Sequence, residues 1–131
     1  MKAILIEHIG SFFVREVPVP AIGAHDVLVR VTVTGLCRTD LKIVRAGHRD
    51  LVLPRIPGEE VVGIVEKIGG AVTRVQPGQR IYLYPGTCCG ICPACRQGAG
   101  NLCRHMQIMG FHRDGGFADY VAAPEASVIT I

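Results

Sequence analysis

The chain has 131 residues, 49% of them hydrophobic and 19% charged, with 16 Gly and 8 Pro. That balance describes one turn-rich globular domain and excludes a disordered chain or two domains of ordinary size. A formal charge of +3 is too small to argue for nucleic acid or an anionic membrane surface. No apolar run approaches the roughly 20 residues of a membrane span. Residues 1–10 carry Lys2, Glu7 and no small-residue cleavage site, so they do not read as a secretory signal. The expectation is a soluble, cytoplasmic domain.

Val and Ile together number 29 against 8 Leu, a β-branched bias that favours strands. In chain order, period-2 patterns or short apolar runs predict strands over residues 2–7, 12–16, 27–34, 61–68, 80–83, 117–122 and 127–130. The clearest is 27–34, which would put Val27, Val29, Val31 and Val33 on one face. Turns fall at Pro18-Val19-Pro20, Ile22-Gly23, Gly69-Gly70, Pro77-Gly78 and Gly115-Gly116. One segment, Arg38–Ala46, reads as a helix. Seven short strands and one helix predict a mainly β, partly open barrel. No G-x-G-x-x-G follows a strand and no strands alternate with long helices, so the reading places no Rossmann domain in this chain.

Four of the six cysteines are packed together as Cys89-Gly-Ile-Cys92-Pro-Ala-Cys95, seven residues, then Cys103. In a chain read as cytoplasmic, that spacing points to metal rather than to a disulfide framework. Four thiolates fill a zinc tetrahedron and leave no position for water or substrate, so such a zinc is structural. It would staple a lobe over residues 88–104, and a four-thiolate zinc would bring the formal charge down to about +1. A ferredoxin-type iron–sulfur pattern shares the first three cysteines, but its short fourth gap and following Pro are absent. A nucleic-acid zinc ribbon would pair two separated C-x-x-C knuckles with basic and aromatic residues, and aromatics are only 5% of the chain. Cys88, the fifth thiol of this stretch, reads as a free cysteine.

Upstream, Cys37-Arg38-Thr39-Asp40 ends one predicted strand and opens the helix. Pro57-Gly58-Glu59-Glu60-Val61-Val62-Gly63 opens another strand. With Gly115-Gly116-Phe117-Ala118-Asp119-Tyr120 and the full pattern Cys-Gly-x-Cys-x-x-Cys-x-x-Gly-x-x-x-x-Cys from 89 to 103, the chain resembles the zinc-dependent medium-chain alcohol dehydrogenases over essentially its whole length. The resemblance implies a GroES-like β-barrel over residues 1–131, the N-terminal portion of that family's catalytic domain. It also implies an oxidoreductase that interconverts an alcohol and a carbonyl with NAD or NADP.

By position, Cys37 would be a ligand of a second, catalytic zinc, and Glu60 would lie beside or on it. Thr39 would be the first hydroxyl of a proton relay. Arg38 would face the cofactor pyrophosphate, and Asp40 would orient its neighbours. The sequence departs from the family at Glu59, where the family has a His ligand. A carboxylate also binds zinc, so Glu59 is the candidate replacement, giving a harder and more negative site. His48 lies upstream and reads as a loop histidine. Taken alone, Cys37 also suits a buried small side chain, and Thr39 and Asp40 suit a helix's first turn. NAD or NADP would need a nucleotide-binding domain, so the isolated chain is expected to be inactive. Expected partners are a small alcohol or carbonyl substrate, with no nucleic acid and no membrane. A homo-oligomer or a separate nucleotide-binding chain is left open, as is a stand-alone zinc-stabilised barrel that binds or assembles without catalysis.

Overall fold

A computed structural model describes all residues, 1–131. Nine strands form it: β1 (Lys2–His8), β2 (Ser11–Glu16), β3 (Asp26–Gly35), β4 (Glu60–Ile68), β5 (Arg80–Leu83), β6 (Gly86–Thr87), β7 (Gln107–Ile108), β8 (Tyr120–Pro124) and β9 (Val128–Thr130). Helix α1 (Arg38–Ala46) follows β3, and the one-turn α2 (Pro93–Arg96) lies in the cysteine lobe. Five strands form an antiparallel sheet in the order β8-β3-β4-β5-β9, which curls into a half-barrel. The β1-β2 hairpin closes one side through the bridges Ala3↔Ala118 and Ile6↔Arg55. No helix is long and apolar enough to cross a membrane.

The core follows from the β-branched alternation. Val27 and Val29 on β3, Val61 and Val65 on β4, Ile81 and Leu83 on β5, and Val121 and Ala123 on β8 pack into one buried cluster. A smaller cluster of Ile6, Ile43 and Phe111 seats α1 against the hairpin. At roughly 25 cal/mol per Å² of apolar surface removed from water, this inner face is the main source of stability.

Every predicted strand is present, and Arg38–Ala46 and Arg80–Leu83 fall where the pattern puts them. Three details differ. Val33 is 61% exposed, not inward with Val27 and Val29. The β3–β4 register shifts between Val31 and Val33, so the strand turns at a bulge and the strict two-residue alternation breaks there. The strand expected over 117–122 begins at Tyr120. Its first residues bond elsewhere: Phe117 N–H to Pro57 O (3.0 Å) and Asp119 N–H to Lys2 O (3.0 Å). Ser127 belongs to a single 3₁₀ turn rather than to the last strand, where its hydroxyl meets Thr87 Oγ1 at 2.8 Å.

Candidate metal centre

The lobe hangs from the short β6-β7 ribbon, which joins its two ends. Within it, Cys92 caps α2 and Pro93 opens that helix, where its fixed φ and missing N–H cost nothing. Cys103 follows the 3₁₀ turn Gly100–Leu102, its N–H bonded to Gly100 O at 3.0 Å. The Sγ atoms of Cys89, Cys92, Cys95 and Cys103 all lie within 4.8 Å of one another. Neighbouring pairs are 3.4 Å (Cys92–Cys95), 3.9 Å (Cys92–Cys103) and 4.0 Å (Cys89–Cys95) apart. A tetrahedron of sulfurs around zinc at about 2.3 Å has edges of about 3.8 Å. The set fits a Zn²⁺ ion, as the spacing predicts.

The electrostatics agree. Backbone N–H groups of Ile91 and Cys92 aim at the Cys89 sulfur and pull its pKa down to about 6. Cys92 is lowered, first by the N–H of Cys95. Burial and the adjacent Cys92 thiol push Cys95 up to about 12. Four thiolates so close repel, and without a cation the last proton stays on; a divalent ion removes that obstacle.

The upstream residues meet around one turn. Asp40 is 2% exposed, and both its oxygens are committed. Oδ2 accepts the Cys37 N–H (2.9 Å) and Oδ1 accepts the Gly58 N–H (3.0 Å). One carboxylate thus caps α1 and ties it to the segment before β4. That segment is fixed from the other side by Gly115 N–H to Ile56 O (2.7 Å) and Gly116 N–H to Gly58 O (3.0 Å). Gly58 has φ +103°, and a Cβ there would stand 2.9 Å from Phe117 N. Only glycine suits both demands. The Pro57-Gly58 and Gly115-Gly116 motifs are therefore one backbone contact seen from two places in the sequence.

Around this turn, Cys37 and Thr39 are half-buried and Arg38 is exposed. Glu59 Oε1 is buried without a hydrogen-bond partner. Burial first, then the charges of Asp40 and Glu60, raise the Glu59 pKa. Glu60 is exposed and folds over Gly35. Cys37, Glu59 and Glu60 are not drawn together as the four thiols are: the lobe is the one group of three or more such donors within 4.8 Å. His48 lies apart, its ring edge-on to Phe111 at 5.1 Å and its Nδ1 accepting the Asp50 N–H at 3.2 Å. Sequence reasoning missed a cavity of about 390 Å³ beside α1, lined by Phe12, Leu36, Asp40, Leu41, Pro57 and Phe117 among others. Its lining comes from five separate stretches of chain, so no local motif announces it.

The Glu59 shift has a sign that can be tested. A carboxyl that keeps its proton to higher pH when folded gives stability that is fully present below the unfolded pKa. That stability is lost as pH rises through the folded value. Glu59→Gln is therefore expected to leave the thermal midpoint near pH 4 little changed and to raise it at pH 8, measured by calorimetry at both pH values.

The family model for the alcohol dehydrogenase GroES-like domain matches residues 23–131. The chain belongs to this family. L-threonine 3-dehydrogenase from Anaeromyxobacter sp. (strain K) is 38% identical over 125 residues, covering 93% of this chain and 36% of that enzyme. A zinc-binding dehydrogenase from Sinorhizobium meliloti 1021, solved bound to NADP, superposes with a TM-score of 0.93 at 42% identity, over 99% of this chain and 38% of that one. A thermostable alcohol dehydrogenase from Pyrobaculum aerophilum, bound to cobalt and zinc, gives 0.93 at 30% identity, over 99% and 40%. This GroES-like chain thus spans little more than a third of the relatives' length. The zinc-dependent medium-chain resemblance drawn from the cysteine pattern is the family the comparisons give.

Proposed function

We propose that this chain is the catalytic-domain portion of a zinc-dependent, alcohol dehydrogenase-like oxidoreductase of the cytoplasm. It would act on a small alcohol or its carbonyl counterpart with NAD or NADP. The four-thiol lobe on a GroES-like half-barrel is the observation that carries the reading. The lobe's zinc is structural. A catalytic metal would be held by Cys37 with Glu59 and Glu60, and the buried, unpartnered Glu59 Oε1 is the kind of oxygen a cation satisfies. When bound, such a metal lowers the pKa of the substrate hydroxyl.

The chain's own residues then have separate tasks. The Thr39 hydroxyl takes the substrate proton and hands it outward. Arg38, exposed at the start of α1, meets the cofactor's pyrophosphate as a cation. Asp40 touches no substrate; it positions Cys37 and Glu59 through the two N–H groups it binds. The dinucleotide is held chiefly by a nucleotide-binding domain, in the same polypeptide or in a separate chain.

Purified alone with NAD or NADP and a panel of alcohols, the 131-residue chain is expected to give no steady rise in absorbance at 340 nm. Steady NADH or NADPH formation would overturn the assignment of cofactor binding to another domain. Elemental analysis tests the metal assignments. One zinc per chain is expected to remain after gel filtration, and a second, weaker equivalent to bind on titration. Glu59→Gln should abolish the second and leave the first. The replacement of His by Glu59 and the spread of the upstream donors favour one other reading, a zinc-stabilised barrel that binds or assembles without catalysis. Failure of any second equivalent to bind selects it.

A further inference from the structure

The cavity beside α1 takes no part in the chemistry above. Its volume of about 390 Å³ falls within the roughly 300–1,000 Å³ of small-molecule sites. Ile4 on β1, Phe12 on β2, Leu36 before α1, Leu41 and Val44 on α1, and Phe117 make its wall apolar. Phe12, Leu36 and Leu41 are 57%, 67% and 44% exposed, so an apolar ligand seated there would take much of that surface out of water. Asp40 also lines the cavity, but both its oxygens are committed to backbone N–H groups. Arg45 is the one cationic side chain of the lining. A second cleft of about 260 Å³ adjoins the first, sharing Leu41 and Arg45 with it and adding Arg38 and Lys42. Positions 38, 42 and 45 fall on one face of a helix, where like charges repel. All three side chains are exposed and none is in an ion pair. The dinucleotide reading uses Arg38, which leaves Lys42 and Arg45 with no counter-charge. An apolar cavity bordered by such a pair of cations is complementary to an alkyl chain that ends in an anion.

We propose that this composite site binds a single-chain anionic amphiphile. Its alkyl chain would lie among Ile4, Phe12, Leu36 and Phe117, and its carboxylate or phosphate would meet Lys42 and Arg45. At about 30 Å³ for each methylene-sized unit, the cavity takes a chain of roughly ten carbons with the head outside it. The Asp40 charge is set back from that head, because α1 rises about 7.5 Å between positions 40 and 45. Burial of the chain supplies most of the affinity, and the two cations select the charged end. The proposal rests on α1 and the strands beside it, not on the dehydrogenase reading.

The test is calorimetric titration of the zinc-loaded 131-residue chain with decanoate and with decyl phosphate, each below its micelle-forming concentration. One molecule per chain is expected to bind. Octanoate should bind about fivefold or more weakly than decanoate, because two methylenes fewer are buried. Decanol, which lacks the charge, should be weaker by a similar factor. Amide shifts in a nitrogen-15 spectrum should fall on Phe12, Leu36, Leu41 and Phe117. Lys42→Gln combined with Arg45→Gln alters two exposed side chains, so it should keep its zinc and strand signal while binding roughly tenfold more weakly. Leu36→Asp should abolish binding by putting a charge where the alkyl chain lies. No binding, equal binding of decanol, or undiminished binding by the double Gln variant would each overturn the proposal. Inorganic pyrophosphate binding as tightly as decyl phosphate would overturn it too, since the cations would then be a bare anion seat. Sedimentation is run alongside: self-association of the wild-type chain that Leu36→Asp abolishes would make a second copy the occupant instead.

Discussion

Cys103→Ala is expected to strip the lobe of its metal and to unfold it while leaving the half-barrel standing. Of residues 88–104 only Cys92 and Cys103 are buried, and Ile91 and Leu102 are 73% and 70% exposed. The lobe therefore has no apolar core, and neither buried cluster of the domain draws a residue from it. With four sulfurs arranged for one ion, a bound metal would be what orders it, since binding to small four-ligand sites contributes on the order of 10–16 kcal/mol near neutral pH. Losing one thiolate forfeits most of that, because the remaining three leave the ion open to water.

Metal per chain should fall from one to none, and trypsin should cut rapidly at Arg96 and Arg104. Far-ultraviolet dichroism should keep its strand signal, since the five-stranded sheet is untouched. Removing the metal from the wild-type chain with a strong chelator should give the same pattern. Collapse of the sheet signal would show that the lobe supports the barrel, and unchanged resistance to trypsin would show that the metal does not order the lobe.

The lobe was legible because its chemistry is local. Four sulfurs that must surround one ion have to sit close in sequence when no core helps them, so spacing alone finds Cys89, Cys92, Cys95 and Cys103. Strands of this half-barrel were legible for a related reason: one wet and one dry face leave an alternation that Val27–Val29 and Val61–Val65 display. Val33 escaped because a bulge changes which face a residue takes without changing the residue. The ribbon β6-β7 escaped because two-residue strands carry no period. Asp40 is the instructive case. Its place in Cys37-Arg38-Thr39-Asp40 showed that it begins a helix, but its bond to Gly58 spans 18 residues, and no pattern within one segment encodes that distance. Glu59 is similar: its identity was plain, but its burial and its lack of a partner belong to the packing of three separate segments.

Asp40→Ala tests that long connection, and it should be among the most damaging substitutions outside the lobe. The carboxylate accepts two backbone N–H groups, from Cys37 and Gly58. Hydrogen bonds to charged groups contribute roughly 1.5–3 kcal/mol each, and their loss here leaves two backbone donors without their partner, the one at Gly58 buried and the one at Cys37 partly so. The expected cost is about 3–5 kcal/mol, a large part of the roughly 5–15 kcal/mol by which domains are stable. For a chain of this size that lowers the thermal midpoint by about 10–20 °C.

Asp40→Asn keeps the volume and one acceptor, so it should lose about half as much. A merely cavity-forming role would predict instead that Asn is harmless. The electrostatic consequence is separate from the stability loss. Asp40 is one of the two charges that hold the Glu59 proton on, so either variant should lower the pH at which the Glu59 carboxyl titrates by NMR. The lobe shares no bond with this turn, and its zinc should remain at one per chain in both variants. Together these readouts separate a carboxylate that fastens α1 to the Pro57-Gly58 turn from one that only fills space. If the Asn variant matches wild type in both midpoint and Glu59 titration, Asp40 does not position the turn.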